Sequence, residues 1–158
     1  MLFLHPAHLP KGPLMAVDPG DKTLGLAVCN ADRTVVSPLT TIERVKFTKD
    51  AVALLKLYDE RDCKGLVVGL PLHMDGGDGR RAQSARSFVT NLLRLRDLPV
   101  VYQDERLSTF AATEQLIEAG VKPSDRKAFV DAQAAAVILE AALQRIAEGP
   151  PQQGEREA

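Results

Sequence analysis

Six consecutive residues without a polar side chain, Gly65-Leu66-Val67-Val68-Gly69-Leu70, run up to Pro71 and constrain the fold more than any other segment. An apolar run of this length reads as a strand, and a strand that is apolar on both faces has to be covered from both sides, as in a parallel sheet. Parallel neighbours need long, usually helical, crossovers. Phe47, Ala51, Leu54, Leu55 and Tyr58 recur on one helical face, with Lys49, Asp50, Lys56 and Asp59 elsewhere. Beyond the strand, a loop at Met74 to Gly79 rich in glycine leads into a second helix, from about Arg81 to Arg96, whose apolar stripe is Ala85, Phe88, Val89, Leu92 and Leu95.

The remaining segments extend this unit in both directions. Leu14 to Val17, a turn at Asp18-Pro19-Gly20-Asp21, Thr23 to Cys29, a turn at Asn30 to Arg33, and Thr34 to Ile42 read as an antiparallel meander. Pro99 to Gln103 reads as a last strand, followed by a helix that Ser108 or Thr109 caps and Gly120 stops. Ser124 then caps a long alanine-rich helix running to about Ala147. The order β-β-β-α-β-α-β-α-α predicts one α/β domain over residues 13–148, with a mixed five-stranded central sheet and helices on both faces, the order of the ribonuclease H-like architecture. Residues 1–12, with Pro6, Pro10 and Gly12 and no periodicity, read as a flexible arm, and residues 149–158 as a disordered tail.

Twenty Lys and Arg against 21 Asp and Glu leave a net charge of -1, so any nucleic-acid site must be a local patch. The strongest one runs from Arg80, Arg81 and Arg86 to Arg94 and Arg96, with Asp97 as its only opposing charge. Guanidinium groups fork onto phosphates. Lys22 and Arg106 flank acidic positions and add to the patch, whereas Arg94 and Arg96 read equally well as an ordinary solvated face. Aromatic residues make up only 4%, which favours recognition of backbone and shape over stacking on bases. Cys29 and Cys63 are the only cysteines and lack metal-site spacing, so they read as small apolar residues in a reducing cytoplasm. Neither a signal h-region nor a run of about 20 apolar residues is present, which argues against a membrane.

Acids stand at three places where chemistry would sit. Asp18 closes the first strand at the carboxyl edge of the sheet, and Asp104 and Glu105 close the last one in the same way. With those two strands as neighbours, Asp18 and Glu105 approach each other. Asp131 is in line with Ala135, Ile138 and Ala142, the face of the long helix that packs on the sheet. Each acid also has a plain explanation: a turn former at Asp18, a solvated strand end at Glu105, a helix-dipole partner at Asp131. Converging carboxylates repel one another unless a cation sits between them, and oxygen ligands without a His or Cys cluster favour Mg²⁺ or Mn²⁺. His73, at a strand end, reads as a proton shuttle, a phosphate contact or a surface residue, and His5 and His8 as a metal pair or bystanders on the arm. Ser108 and Thr109 lack a triad histidine and read as caps.

Taken together, Ala16-Val17-Asp18-Pro19-Gly20, Val68 to Gly76, Asp104-Glu105-Arg106-Leu107-Ser108-Thr109 and Asp131 to Leu139 resemble, in order and spacing, the YqgF family, also called RuvX. Its members are described as Holliday junction resolvases and pre-16S rRNA processing nucleases of ribonuclease H-like fold. The resemblance covers residues 14 to 145 and implies carboxylates at Asp18, Glu105 and Asp131, dependence on Mg²⁺ or Mn²⁺, endonuclease action on a four-way DNA junction or precursor rRNA, and a homodimer. Pro19, Thr23 and His73 depart from the usual aromatic, basic and Asn residues, which bears on substrate contacts more than on metal binding. Two other classes fit parts of the chain. One is a catalytically inactive nucleic-acid-binding protein on the same fold, and the other a phosphotransferase sharing the D-P-G turn, which would need two lobes where this chain has one.

Overall fold

A computed structural model describes residues 1–71, 79–104 and 114–150, the backbone alone over 123–128. The strands are β1 (Leu2–Phe3), β2 (Leu14–Pro19), β3 (Thr23–Cys29), β4 (Val36–Glu43), β5 (Gly65–Leu70) and β6 (Val100–Asp104). Three helices join them: α1 (Phe47–Glu60), α2 (Arg80–Leu95) and α3 (Pro123–Glu148). A short helical segment also spans residues 114–118.

The sheet order is β1-β6-β5-β2-β3-β4, with β1, β6, β5 and β2 parallel and β3 and β4 antiparallel. The run from Gly65 to Leu70 is buried at every position between β2 and β6, as its composition requires. Two clusters cover it. Met15, Val17, Leu66, Val68 and Val100 pack under α1 and α2, while Leu14, Ala16, Ala27, Val67 and Val101 pack under α3. The alternation of a strand thus assigns odd and even residues of β2 to different helical layers. On the α3 side small residues meet small residues, Ala16 and Ala27 against Ala135, Ala136 and Ala142, so the helix lies close to the sheet.

The sheet has six strands where five were expected. The additional one comes from residues 1–12, whose lack of periodicity reads as a flexible arm. Leu2 and Phe3 pair in parallel with Val100 and Val101, Leu9 is buried under α3, and Arg33 donates to the carbonyls of Pro10 and Gly12. A two-residue strand is too short to leave a periodic trace, and its partners lie nearly 100 positions away. His5 is buried, its Nδ1 accepts the Ala7 amide N–H at 3.1 Å, and its ring lies 6.0 Å from that of His8.

Other differences are local. Leu95 is exposed, because α2 ends there and the chain buries Leu98 instead. Asp50 is buried, its Oδ1 accepting the Val45 N–H at the start of α1. α3 begins at Pro123 with Lys122 as its cap residue, so Ser124 lies inside the first turn rather than capping it. Gly120, at φ 79°, ends the preceding helical segment as expected. Cys29 and Cys63 are buried and free, and burial pushes the Cys63 thiol up to about 11. Among the described residues no helix is long and apolar enough to cross a membrane. Residues 151–158 of the expected tail lie outside the described residues.

Candidate active site

Asp18 is the penultimate residue of β2 and has the parity of Leu14 and Ala16, so it belongs to the layer under α3, where it is only 8% exposed. Its ladder partner on β3 is Gly25. A Cβ at Gly25 would lie 2.0 Å from the carbonyl oxygen of Asp131, so only glycine lets the backbone of α3 rest on β3 here. That contact delivers Asp131 to the strand bearing Asp18's partner. Thr23, two residues earlier on the same face of β3, donates its hydroxyl to Asp131 Oδ2 at 2.6 Å. Ala135, Ile138 and Ala142, further along this face of α3, are fully buried, as the helical spacing from Asp131 predicts.

On the other side of Asp18 the expected geometry needs correction. β2 and β6 are not neighbours; β5 lies between them, which sets their lines about 10 Å apart. The α3-facing row at this edge runs from Gly25 and Asp18 on to Gly69 and then to Gln103. Asp104, one residue past Gln103, belongs to the opposite face. Crossover order alone shows that parallel strands share an edge, but not which of them touch. Gln103 is buried, and its Oε1 accepts from Arg145 Nη1 at 2.8 Å, which ties the far end of α3 to β6. Glu105, Arg106, His73, Ser108 and Thr109 lie outside the described residues.

The basic residues divide by position. Arg80 and Arg81 begin α2 and, with Ser84 and Asp21 of the β2–β3 turn, line an open cleft of about 540 Å³ at the carboxyl edge of the sheet. Lys22 is exposed in the same turn. Arg86 is exposed and lies over the Tyr102 ring, 5.7 Å from its centroid. Arg94 and Arg96 occupy the far end of the helix, about 20 Å away at 1.5 Å per residue. Arg96 is held there by Asp59 at 2.8 Å, and this bond keeps the Asp59 carboxyl below its ordinary value. Arg96 is thus engaged at the far end of α2, whereas Arg80 and Arg81 lie at the carboxyl edge of the sheet. Arg44, which nothing in the sequence pattern singled out, braces the turn: its Nη1 donates to the Gly20 carbonyl at 2.6 Å and its backbone N–H to that of Lys22. The same guanidinium lies over the ring of Phe88 on α2, linking the Lys22 turn to the arginine helix.

No group of three His, Cys, Asp or Glu side chains that could hold a metal ion occurs among the described residues. The two acids that are described nevertheless suit a hard divalent cation. They offer oxygen donors only, one of them is withdrawn from water, and an α3 backbone in van der Waals contact with β3 fixes their spacing.

The chain is similar to several known proteins. The family model RuvX, described as Holliday junction resolvase, matches residues 12–145. A protein of Paramagnetospirillum magneticum named "Putative pre-16S rRNA nuclease" is 51% identical over 130 residues, covering 82% of this chain and 84% of its own. One of the same name from Phenylobacterium zucineum is 50% identical over 139 residues, covering 87% and 89%. Among solved structures, Thermus thermophilus RuvC in complex with a Holliday junction substrate superposes with a TM-score of 0.54 at 17% identity, covering 85% of this chain and 96% of that one. The fowlpox virus Holliday junction resolvase does so at 0.50 and 12%, covering 86% and 99%. These two likenesses bear on the fold, which is that of the RuvC-like, ribonuclease H-like resolvases.

Proposed function

The chain belongs to the RuvX family and is a nuclease, a hydrolase of phosphodiester bonds, and on that premise we propose that it is an endonuclease dependent on Mg²⁺ or Mn²⁺ that cuts structured nucleic acid. Its substrate is a four-way DNA junction, the 5′ end of precursor 16S rRNA, or both. The observation that carries the reading is the contact of Asp131's backbone with Gly25, the ladder partner of Asp18, which brings two acids 113 positions apart to one edge of the sheet. Asp18 and Asp131 would hold the cation together with Glu105, the residue that follows the end of β6 in the sequence. When bound, the cation polarises the scissile phosphate and lowers the pKa of water.

The chain's own residues do the rest. Asp18 is kept in place by the β2–β3 ladder and Asp131 by Thr23. Arg80, Arg81 and Lys22 take phosphates at the cleft beside them, with Arg86 and Arg106 extending the grip. The described residues that line the cleft, Asp21, Arg80, Arg81 and Ser84, are polar or charged, which suits a phosphate backbone. Two copies acting together suit the paired incision of a symmetric junction, and the buried, reduced cysteines suit a cytoplasmic protein.

The test is to incubate the purified chain, with and without Mg²⁺ or Mn²⁺, against a synthetic four-way junction and a precursor 16S rRNA leader in parallel. Cleavage of at least one, abolished by chelator, supports the reading. Paired symmetric nicks identify the junction as substrate, and cutting of RNA alone identifies the precursor. Salt-sensitive binding with no cleavage at any metal concentration contradicts it.

A further inference from the structure

We propose that Thr23 is a positioning residue that sets which oxygen of Asp131 is presented to the cation; the inference rests on the metal reading above. Thr23 Oγ1 donates to Asp131 Oδ2 at 2.6 Å, a length typical of a hydroxyl bonded to an ionised carboxylate. The bond fixes the rotation of the carboxylate about its Cβ–Cγ axis, and so orients Oδ1, which takes no part in it.

The donor is rigid. Thr23 is paired with Glu43 across the β3–β4 ladder, and its carbonyl accepts the Gly20 N–H at 2.9 Å. Its branched Cβ restricts χ1, so the hydroxyl is aimed before any ligand arrives. Asp131 is carried to it by the backbone of α3, which rests on β3 at Gly25. The carboxylate is thus held by its own main chain below and by a hydroxyl at one oxygen. Hydrogen-bonded partners of this kind keep ligating carboxylates oriented, and their loss costs about 10–100-fold in metal affinity in other metal sites.

The test is Mn²⁺ binding, read by the electron paramagnetic resonance signal of the free ion, for the wild type, Thr23→Val, Thr23→Ser and Asp131→Asn, each checked by its thermal melt. Thr23→Val keeps the shape and removes the donor, and is expected to weaken Mn²⁺ binding about 10–100-fold with an unchanged melt. Thr23→Ser restores the donor and is expected to bind as the wild type. Should Thr23→Val lower the melt, Thr23→Ala gives the same reading without the second methyl. In cleavage, the Mn²⁺ concentration for half-activity should rise for Thr23→Val while the rate at saturating Mn²⁺ recovers. Wild-type affinity in Thr23→Val alongside weakened binding in Asp131→Asn overturns this inference alone, as does a loss in Thr23→Ser equal to that in Thr23→Val. Unchanged binding in Asp131→Asn overturns the metal reading and the inference with it.

Discussion

A methyl group at position 25 would stand 2.0 Å from the carbonyl oxygen of Asp131, where a backbone atom cannot move aside alone. Gly25→Ala should therefore lift α3 from β3, lower stability in urea denaturation by about 1–3 kcal/mol, and cost activity out of proportion to that loss. Full activity in a stable Gly25→Ala protein would show that the close approach does not set the site. A second residue-scale effect concerns pH. Burial pushes Cys63 up to about 11 from 9.0, so between these values the unfolded chain loses a proton that the folded one keeps. Stability contributed by the protonated thiol is present below pH 9 and declines as pH rises through 11, by up to about 3 kcal/mol. Melting temperatures at pH 8 and pH 10 for the wild type and Cys63→Ala check this, the wild type showing the larger drop. Asp18 and Asp131 were legible one at a time, as a strand end and a helix face. Thr23 bonding Asp131 was not, because a contact across 108 positions leaves no trace in local spacing.

α2 carries four arginines and no acid, on a chain whose net charge is -1, and its two ends do different things. Replacing Arg80 and Arg81 with Gln should weaken binding to junction DNA and reduce the slope of log K against log salt by about 0.9 for each phosphate that is no longer neutralised. Arg96→Gln should leave binding unchanged, since that guanidinium is engaged by Asp59 on the opposite edge. Equal losses from both ends, measured by fluorescence anisotropy across a salt series, would argue for a footprint along the whole helix. Elements of this length were readable because the helical period is local: α1 begins at Phe47, where the period begins, and Arg80–Leu95 lies within a residue of the expected Arg81 to Arg96. Asp50 was not readable as buried, since its reason is a backbone N–H at Val45 that the side chain satisfies, not its place on the apolar stripe.

At the scale of the molecule, the order of strands and helices was enough to predict a mixed sheet between helical layers, but not the sheet's edges. β5 separates β2 from β6, and β1 extends the sheet beyond β6, because pairing between distant segments depends on where crossovers land. The first twelve residues are consequently part of the fold. Leu9→Ala should cost about 2–5 kcal/mol in chemical denaturation, as for a buried leucine under α3 and unlike a residue on a loose arm. The same sheet brings Asp18 and Asp131 together at its carboxyl edge, the edge at which Arg80, Arg81 and Asp21 line a cleft. If the acids at this edge hold a divalent cation, anomalous diffraction from crystals soaked in Mn²⁺ should show a peak bounded by the carboxylates of Asp18, Glu105 and Asp131, lost in Asp18→Asn crystals. Mn²⁺ bound elsewhere, with these carboxylates turned away from it, would contradict the metal reading.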